Sequence, residues 1–145
     1  MEHSWSFGRT RDEADEAALA RAMGLAFGFD AADCPRWWDR AGRDCVRALR
    51  SGDEIAGGLI FAPMGQFVHG RSLSMAGIAG VAIAPEFRGA GGASFMMSEC
   101  LRELRASGFV LSTLFASTYP LYRGVGYELA GSYPQITLRA NSLPK

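Results

Sequence analysis

A glycine-rich stretch in the middle of the chain has the residue types of an anion-binding turn. Residues 81–93 (VAIAPEFRGAGGA) predict a β-branched strand, a proline stop, a glycine-rich turn and the start of a helix. Glycines let a ligand approach the backbone, and the N–H groups and dipole of a helix N-terminus attract negative charge. We therefore predict a backbone anion site, formed by Arg88, Gly89, Ala90, Gly91, Gly92 and Ala93.

Two common phosphate-binding motifs do not describe this stretch. The spacing of Arg88, Gly91 and Ala93 differs from the dinucleotide motif GxGxxG and from the P-loop motif GxxxxGKS/T. An ordinary strand-to-helix turn is the alternative interpretation, but such a turn needs one glycine rather than three. The three glycines at 89, 91 and 92 therefore favour a ligand site.

The composition limits the classes of protein to which this chain can belong. Its 145 residues, 48% of them apolar, predict one domain with a single core. Fifteen basic residues balance 15 acidic ones, so the basic field of a nucleic-acid-binding protein is missing. No apolar run approaches the roughly 20 residues of a membrane span, and the first residues lack a signal-peptide pattern. We expect no nucleic-acid or membrane partner.

Three cysteines stand too far apart for a disulfide framework or a CxxC metal pair. We therefore expect reduced, mostly buried thiols at Cys34, Cys45 and Cys100, no metal site, and a cytoplasmic location.

The elements that must position the anion site follow from hydrophobic periodicity. A capping box at Thr10 and Glu13 predicts a helix over 11–27 that ends at Gly28, and a second short helix follows with Pro35 in its first turn. Strands are expected over 4–8, 45–50, 55–61, 73–84, 109–115, 127–130 and 135–139. The strand over 109–115 is mostly apolar, which predicts burial on both faces, whereas 66–71 is expected to be a loop.

Element order indicates the fold class. One helix follows the glycine turn, and a short helical turn is expected over 119–123. Paired glycines at 57 and 58 within a strand indicate a bulge or the close approach of a ligand. The order β-α-α-β-β-β-α-β-α-β-β predicts an α/β (α+β) fold with a mixed sheet.

Several segments resemble the GNAT-type N-acetyltransferases in order and spacing. The segments are DEA at 12–14, AFGF at 26–29, PMGQ at 63–66, MAGIAGV at 75–81, APEFRG at 84–89 and PLYRGVGYELAG at 120–131. They span nearly the whole chain and are most similar to the N-terminal domain of the Eis-like (enhanced intracellular survival) branch. The resemblance implies a GNAT fold with a mixed, mostly antiparallel sheet flanked by helices, in a single domain over 1–145.

The same resemblance implies acetyl transfer from acetyl-CoA to a primary amine of a small molecule or a lysine side chain. The backbone of Val81 and Ile83, with Ala82 between them, would pair with the pantetheine arm of acetyl-CoA. The N–H groups from Arg88 to Ala93 would hold its pyrophosphate, and Arg123 could add charge nearby.

Tyr122 matches the family's proton-donating tyrosine in the segment LYRGVGY. A phenol near the sulfur can protonate the thiolate that leaves when an amine attacks the thioester. A purely packing role for Tyr122 is the alternative, and Tyr127 is interpreted as structural. Larger Eis-like enzymes place their C-terminal carboxylate near the site. That role cannot be carried over, because this chain stops at Lys145.

An acceptor pocket is expected where the first two helices meet the sheet. Phe27, Phe29, Trp37 and Trp38 cluster there. Phe27 and Trp37 would wall the pocket, and Asp30 would attract the cationic amine. A role of these aromatic residues in the core stays open as an alternative.

Two further expectations concern the whole molecule. The chain is either the N-terminal part of a larger Eis-like protein or a shortened homologue, and a homo-oligomer is possible because larger relatives assemble. The second hypothesis for its function is a catalytically incomplete GNAT module that binds coenzyme A or serves as an interaction domain.

Overall fold

A five-stranded sheet in the order β1-β2-β3-β4-β5 forms the centre of the fold. The structure is a computed structural model that describes residues 4–132 and 134–139. The strands are β1 (Trp5–Gly8), β2 (Val46–Ser51), β3 (Glu54–Val68), β4 (Arg71–Ile83) and β5 (Leu111–Leu114). Neighbouring strands are antiparallel except β4 and β5, which are parallel. The expected mixed, mostly antiparallel sheet is confirmed.

Four α-helices flank this sheet. They are α1 (Glu13–Phe27), α2 (Cys34–Ala41), α3 (Gly92–Ala106) and α4 (Tyr119–Gly124). Short 3₁₀ turns at Ala31–Asp33, Arg43–Cys45 and Pro85–Phe87 connect helices and strands. The helix expected after the glycine turn is therefore present as α3.

Helices α1 and α3 pack on opposite faces of the sheet. A Cβ atom at Gly58 would lie 2.6 Å from Leu19 of α1. Ala48 pairs with Gly58 and points to the same face, whereas the adjacent Leu49 points to the other. A Cβ atom at Gly92, the first residue of α3, would lie 3.0 Å from Leu49. The sheet is thus buried between two helical layers.

The core joins these layers. Its fully buried larger side chains are Trp38, Leu19, Met23, Leu49, Leu59, Ile60, Met96, Met97, Cys34 and Cys100. All three cysteines are buried free thiols, as expected. Burial raises the pKa of Cys100 to about 12, so its thiol is unreactive at neutral pH.

The beginning of α1 differs from the predicted capping box. Asp12, not Thr10, is the N-cap, and its side chain accepts the Asp15 N–H at 2.9 Å. The buried carboxylate of Asp15 accepts a hydrogen bond from the backbone N–H of Arg11 at 2.8 Å and forms an ion pair with Arg50. Because these bonds hold residue 11 outside the helix, α1 starts at Glu13. The predicted helix end at Gly28 is confirmed, with a left-handed φ of 72°.

The loop expected over 66–71 is wrong. Strands β3 and β4 continue as a two-stranded arm to Val68 and Arg71, which pair with each other. Only His69 and Gly70 turn the chain, and both have positive φ, 48° and 78°. A two-residue turn of this kind matches the twist of a hairpin, so it needs no longer loop. The segment 66–71 (QFVHGR) does not alternate strictly between apolar and polar residues, so its sequence does not indicate a strand.

The expectation for 109–115 is also corrected. Strand β5 covers only Leu111–Leu114, and its side chains are alternately exposed and half-buried. It pairs with β4 on one side, and among the described residues no strand pairs with its outer edge. The strands expected over 127–130 and 135–139 do not form in the described part of the chain. A local sequence pattern alone does not specify a strand, because β-propensity depends strongly on the packing around the segment.

Candidate functional site

Strands β4 and β5 separate after a short parallel pairing. The pairs run from Met75 with Leu111 to Ile78 with Leu114. Strand β4 then continues to Ile83, and no described strand accompanies it on the β5 side. An unpaired strand edge of this kind can accept an extended ligand by adding it as a further strand.

A bulge in β4 lies at the point of separation. Ile60 of β3 pairs with Ala79, and Gly58 pairs with Ala82, so two residues of β4 face one residue of β3. Those two residues are Gly80, with a left-handed φ of 63°, and Val81. Since bulges bend a strand and increase its twist, this bulge accounts for the divergence of β4 from β5.

The glycine turn meets the geometric requirements of an anion site. Gly89 and Gly91 have left-handed φ values of 78° and 82°, and a Cβ atom at either would meet no atom within 4 Å. Gly91 is the N-cap of α3 and makes no side-chain capping bond. The first N–H groups of α3 thus have no side-chain cap, and they lie at the positive end of the helix dipole.

Two residues connect this turn to the sheet. Gly92 packs the first turn of α3 closely against Leu49 and Trp5, so its lack of a side chain serves packing. Arg88 is exposed, and its Nε donates to the carbonyl oxygen of Ile83 at 3.1 Å. The Arg88 side chain thus lies along the end of the unpaired β4 edge, next to the turn.

Tyr122 is buried in α4, with 6% of its surface exposed. Its ring meets the ring of Tyr127 edge-on, with centroids 6.1 Å apart and an interplanar angle of 77°. Burial raises the pKa of the Tyr122 phenol, and a hydrogen bond with Ser117 opposes that shift. The phenol is therefore protonated at neutral pH and can donate a proton.

An open groove of about 750 Å³ lies beside β5. Tyr122 and Arg123 of α4 contribute to its wall, together with β5 and residues 127–132. Arg123 forms an ion pair with Glu128 here, Nε to Oε1 at 2.6 Å, so its charge is already compensated. Arg88 is thus the better placed of the two arginines for an anion at the glycine turn.

The residues predicted for the acceptor form an aromatic row on the α1 face. The rings of Phe27 and Phe29 are stacked with centroids 6.1 Å apart, and Phe29 meets Trp37 edge-on at 6.2 Å. Trp37 in turn lies against Gly80 at the β4 bulge, whereas the neighbouring Trp38 is a core residue. The row therefore leads from the half-exposed Phe27 to the point where β4 leaves β5.

Asp30 lies on the surface at this end of the fold. Its carboxylate caps the turn Ala31–Asp33 by accepting the Ala32 N–H at 2.9 Å. Asp30 directly follows Phe29 in the chain. Among the hydrogen bonds of the described residues, the Asp30 side chain makes only this one, with the backbone. Its negative charge remains accessible to a cation.

Gly80 is a site residue that the sequence-based predictions do not include. An isolated glycine within a strand pattern indicates a bulge, and this signal is present in the sequence. The paired glycines of β3 likewise border bulges, because the register shifts between Leu49 and Arg50 and again after Gly58. Protein atoms rather than a ligand approach Gly58.

Residues 4–132 and 134–139 contain neither a candidate metal site nor a membrane-spanning helix. No group of three His, Cys, Asp or Glu side chains could hold a metal ion there. None of the helices in that part of the chain has the length and apolar character needed to cross a bilayer.

Comparison with known proteins was made at the levels of sequence and structure. The sequence profile of the acetyltransferase (GNAT) domain matches residues 9–130. No match was found among curated proteins.

Solved structures with the same fold include the following three. A GCN5-related N-acetyltransferase from Anabaena variabilis is 33% identical with a TM-score of 0.83, and one from Kribbella flavida is 31% identical with a TM-score of 0.76. Each match covers 88% of this chain but 33% of the relative, so the chain spans about a third of their length. An aminoglycoside acetyltransferase from an uncultured soil metagenomic sample matches 96% of this chain and 100% of its own, at 19% identity and a TM-score of 0.70. That third likeness shows the fold alone.

The family follows from the extent of these matches. The profile covers most of the chain, and its fold agrees with the five-stranded mixed sheet and its flanking helices. The chain therefore belongs to the GNAT acetyltransferase family.

Proposed function

We propose that this protein transfers an acetyl group from acetyl-CoA to a primary amine, and that within its family it is Eis-like. The observation that carries the proposal is the unpaired β4 edge, which leads directly into the open glycine turn at the start of α3. An extended arm with a pyrophosphate at one end and a thioester at the other is complementary to this sequence of features.

Acetyl-CoA would be held mainly by backbone groups. Its pantetheine arm would lie along Val81, Ala82 and Ile83, and its pyrophosphate would accept the N–H groups of residues 88–93. Arg88 would contribute positive charge. Its Nε would give up the hydrogen bond to the Ile83 carbonyl oxygen and donate to a phosphate oxygen instead. The open space beside Gly89 and Gly91 supports this placement, because a side chain there would stand in the path of the ligand.

The chemical step would take place beside the unpaired β4 edge. The amine nitrogen would attack the thioester carbonyl, so that a C–N bond forms and the C–S bond breaks. Tyr122 would donate its proton to the departing sulfur, and the excess proton of the amine would pass to solvent. The buried, protonated phenol supports this role.

The acceptor would enter along the aromatic row. Phe27 and Trp37 would contact its apolar part, and Asp30 would attract its cationic amine. The contact of Trp37 with Gly80 supports this assignment, because the row then ends beside the β4 edge that would carry the thioester. The acceptor would be a small molecule or a lysine side chain.

Thermal shift and thiol release test the proposal in two steps. We expect acetyl-CoA to raise the melting temperature, and a panel of primary amines to release coenzyme A thiol in its presence. A thiol reagent is suitable for the second step, since the native cysteines are buried and Cys100 is held as an unreactive thiol. No shift with acetyl-CoA would contradict both the donor site and the activity.

A second candidate function is a coenzyme A-binding module without activity. The match covers 33% of the Anabaena and Kribbella relatives, and in those proteins the remaining length could supply a residue that completes the site. A thermal shift with acetyl-CoA but no thiol release from any amine would support this candidate and exclude the enzyme.

The cellular setting is part of the proposal. Three buried free thiols support a reducing, cytoplasmic location. The oligomeric state, including the expected homo-oligomer, is open to measurement by light scattering.

A further inference from the structure

The segment that follows α4 folds back onto Tyr122. The backbone N–H of Tyr127 donates to the carbonyl oxygen of Tyr122 at 3.0 Å, and the N–H of Val125 donates to the same oxygen at 3.2 Å. The Tyr127 ring also meets the Tyr122 ring edge-on. Tyr127 therefore contacts Tyr122 through both its backbone and its side chain.

The hydroxyl of Tyr127 makes a third connection, this time to the sheet. It lies 2.5 Å from Oγ of Ser112 in β5, and both residues are half-buried. Ser112 pairs with Ala76 of β4, so it belongs to the parallel segment from which the two strands diverge. A chain of contacts thus runs from β5 through Ser112 and Tyr127 to Tyr122.

Helix α4 needs such a connection. It has six residues, no side-chain N-cap bond and a proline near its start. A helix of this length does not hold its own position, because short helices are marginal without tertiary contacts. A proton donor, however, must be held closely, since small displacements of a catalytic group reduce the rate strongly.

We propose that Ser112 and Tyr127 form a positioning pair, which fixes the Tyr122 phenol relative to β5 and thereby to the thioester. This inference rests on the proposed function, in which Tyr122 protonates the leaving sulfur. Neither hydroxyl of the pair touches the reacting atoms. Their bond orients the ring that does.

Three variants test the pair. Tyr127→Phe and Ser112→Ala each remove one hydroxyl of the bond, and Ser112→Thr restores a hydroxyl on a residue that strands accept readily. We expect each of the first two to lower kcat about tenfold with KM for acetyl-CoA unchanged, and the threonine variant to recover most of kcat. The double variant Tyr127→Phe with Ser112→Ala should be no slower than either single one, because both changes break the same bond.

Ser107→Ala is the matched control. Ser107 is exposed at the C-terminal end of α3 and does not line the groove beside β5, so this variant loses a hydroxyl without touching the pair. It should retain wild-type kcat. Wild-type kcat in Tyr127→Phe, or independent losses that multiply in the double variant, would overturn the inference.

A second measurement does not depend on activity. In spectra of protein with labelled tyrosine rings, Ser112→Ala should move the Tyr122 ring resonances as well as those of Tyr127. Unchanged Tyr122 resonances in Ser112→Ala would contradict the inference even if no acceptor were found. Absence of thiol release in the wild type, with Tyr122 resonances that do respond, would instead count against the proposed function alone.

Discussion

The indole of Trp37 occupies the space that a side chain at residue 80 would need. A Cβ atom on Gly80 would lie 2.8 Å from Cη2 of Trp37, and the backbone of Gly80 has a left-handed φ of 63°. The same glycine thus permits the β4 bulge and the approach of the aromatic row. In the proposed function, these are the donor side and the acceptor side of one reaction centre.

Replacement of Gly80 by alanine should therefore damage both features. We expect Gly80→Ala to cost about 1–2 kcal/mol for the left-handed backbone and a further 1–3 kcal/mol or so for the collision with Trp37. Affinity for acetyl-CoA should fall as well, because the bulge would be distorted. Urea denaturation and calorimetric titration with acetyl-CoA measure the two effects.

Gly70→Ala is the control for this comparison. Gly70 has a φ of 78°, but a Cβ atom there would meet nothing within 4 Å. It should show only the backbone cost and unchanged affinity for acetyl-CoA. Equal losses of stability in the two variants would show that Trp37 does not restrict residue 80.

Charge at residue 30 should govern the apparent affinity for the amine. Asp30→Asn keeps an N-cap side chain, since asparagine caps as well as aspartate, but it removes the negative charge. We expect KM for a cationic amine to rise several-fold while kcat and the melting temperature stay unchanged. Asp33→Asn is the control, because Asp33 is also exposed and makes no side-chain capping bond. An equal rise in KM in both variants would remove any specific role for Asp30.

Loss of the Tyr122 hydroxyl should slow the chemical step selectively. We expect Tyr122→Phe to lower kcat about 100-fold, within the usual range for a proton donor, with affinity for acetyl-CoA nearly unchanged. Steady-state kinetics and thermal shift with acetyl-CoA give the two quantities. Full activity in this variant would show that the sulfur obtains its proton elsewhere.

The pH profile gives a separate test of the same phenol. Burial raises the pKa of Tyr122 above its ordinary value of 10.0. A donor is active in its protonated form, so the wild-type kcat should not decline through loss of this proton until the pH exceeds 10. A decline below that pH which disappears in Tyr122→Phe would contradict the assignment.

The ion pair of Asp15 and Arg50 should govern acid stability. Burial alone would raise the pKa of Asp15, but hydrogen bonds from Arg11 and Arg50 outweigh it and hold the pKa well below 3.8. A lowered folded-state pKa contributes stability that is complete above the unfolded value and is lost as the pH falls below 3.8. Asp15→Asn should cost about 3–5 kcal/mol at neutral pH, because Arg50 remains buried without its partner.

A surface variant separates this effect from simple loss of charge. Asp53 pairs with Arg11 at 3.3 Å, but its side chain is 99% exposed. Asp53→Asn should leave the denaturation midpoint unchanged, because exposed pairs contribute little. Similar midpoints for the two variants at pH 7 would contradict a structural role for the Asp15 carboxylate.

Local sequence patterns predicted most of the helices and strands, but not how the strands pair in the sheet. The helix after the glycine turn was predictable because its caps, its apolar face and Gly91 agree with one another. The extension of β3 and β4 to Val68 and Arg71 was not, because it depends on a two-residue turn with positive φ at His69. The exposure of β5 was unpredictable for a different reason, since a strand's position in the sheet follows from pairing and not from its own composition.

In the candidate site, too, local features were predictable from the sequence and contacts between distant residues were not. Backbone-dependent features such as the glycine turn could be inferred from residue types, since only glycine adopts those angles without strain. The Trp37–Gly80 contact and the Ser112–Tyr127 bond join residues far apart in the chain, and no single-sequence pattern records them. The backbone conformation of the glycine turn was therefore predictable, whereas these two side-chain contacts were not.

The packing of Gly92 has a consequence for the thermodynamics of binding. The first turn of α3 is fixed between Leu49 of β2 and Trp5 of β1, so the N–H groups that follow it are ordered before any ligand arrives. Much of the conformational entropy is then lost during folding and not during binding. Loosening of the N-terminal strand β1 would shift that loss to the binding step. In the proposed function, a change around Trp5 would therefore weaken the association with acetyl-CoA by raising its entropic cost.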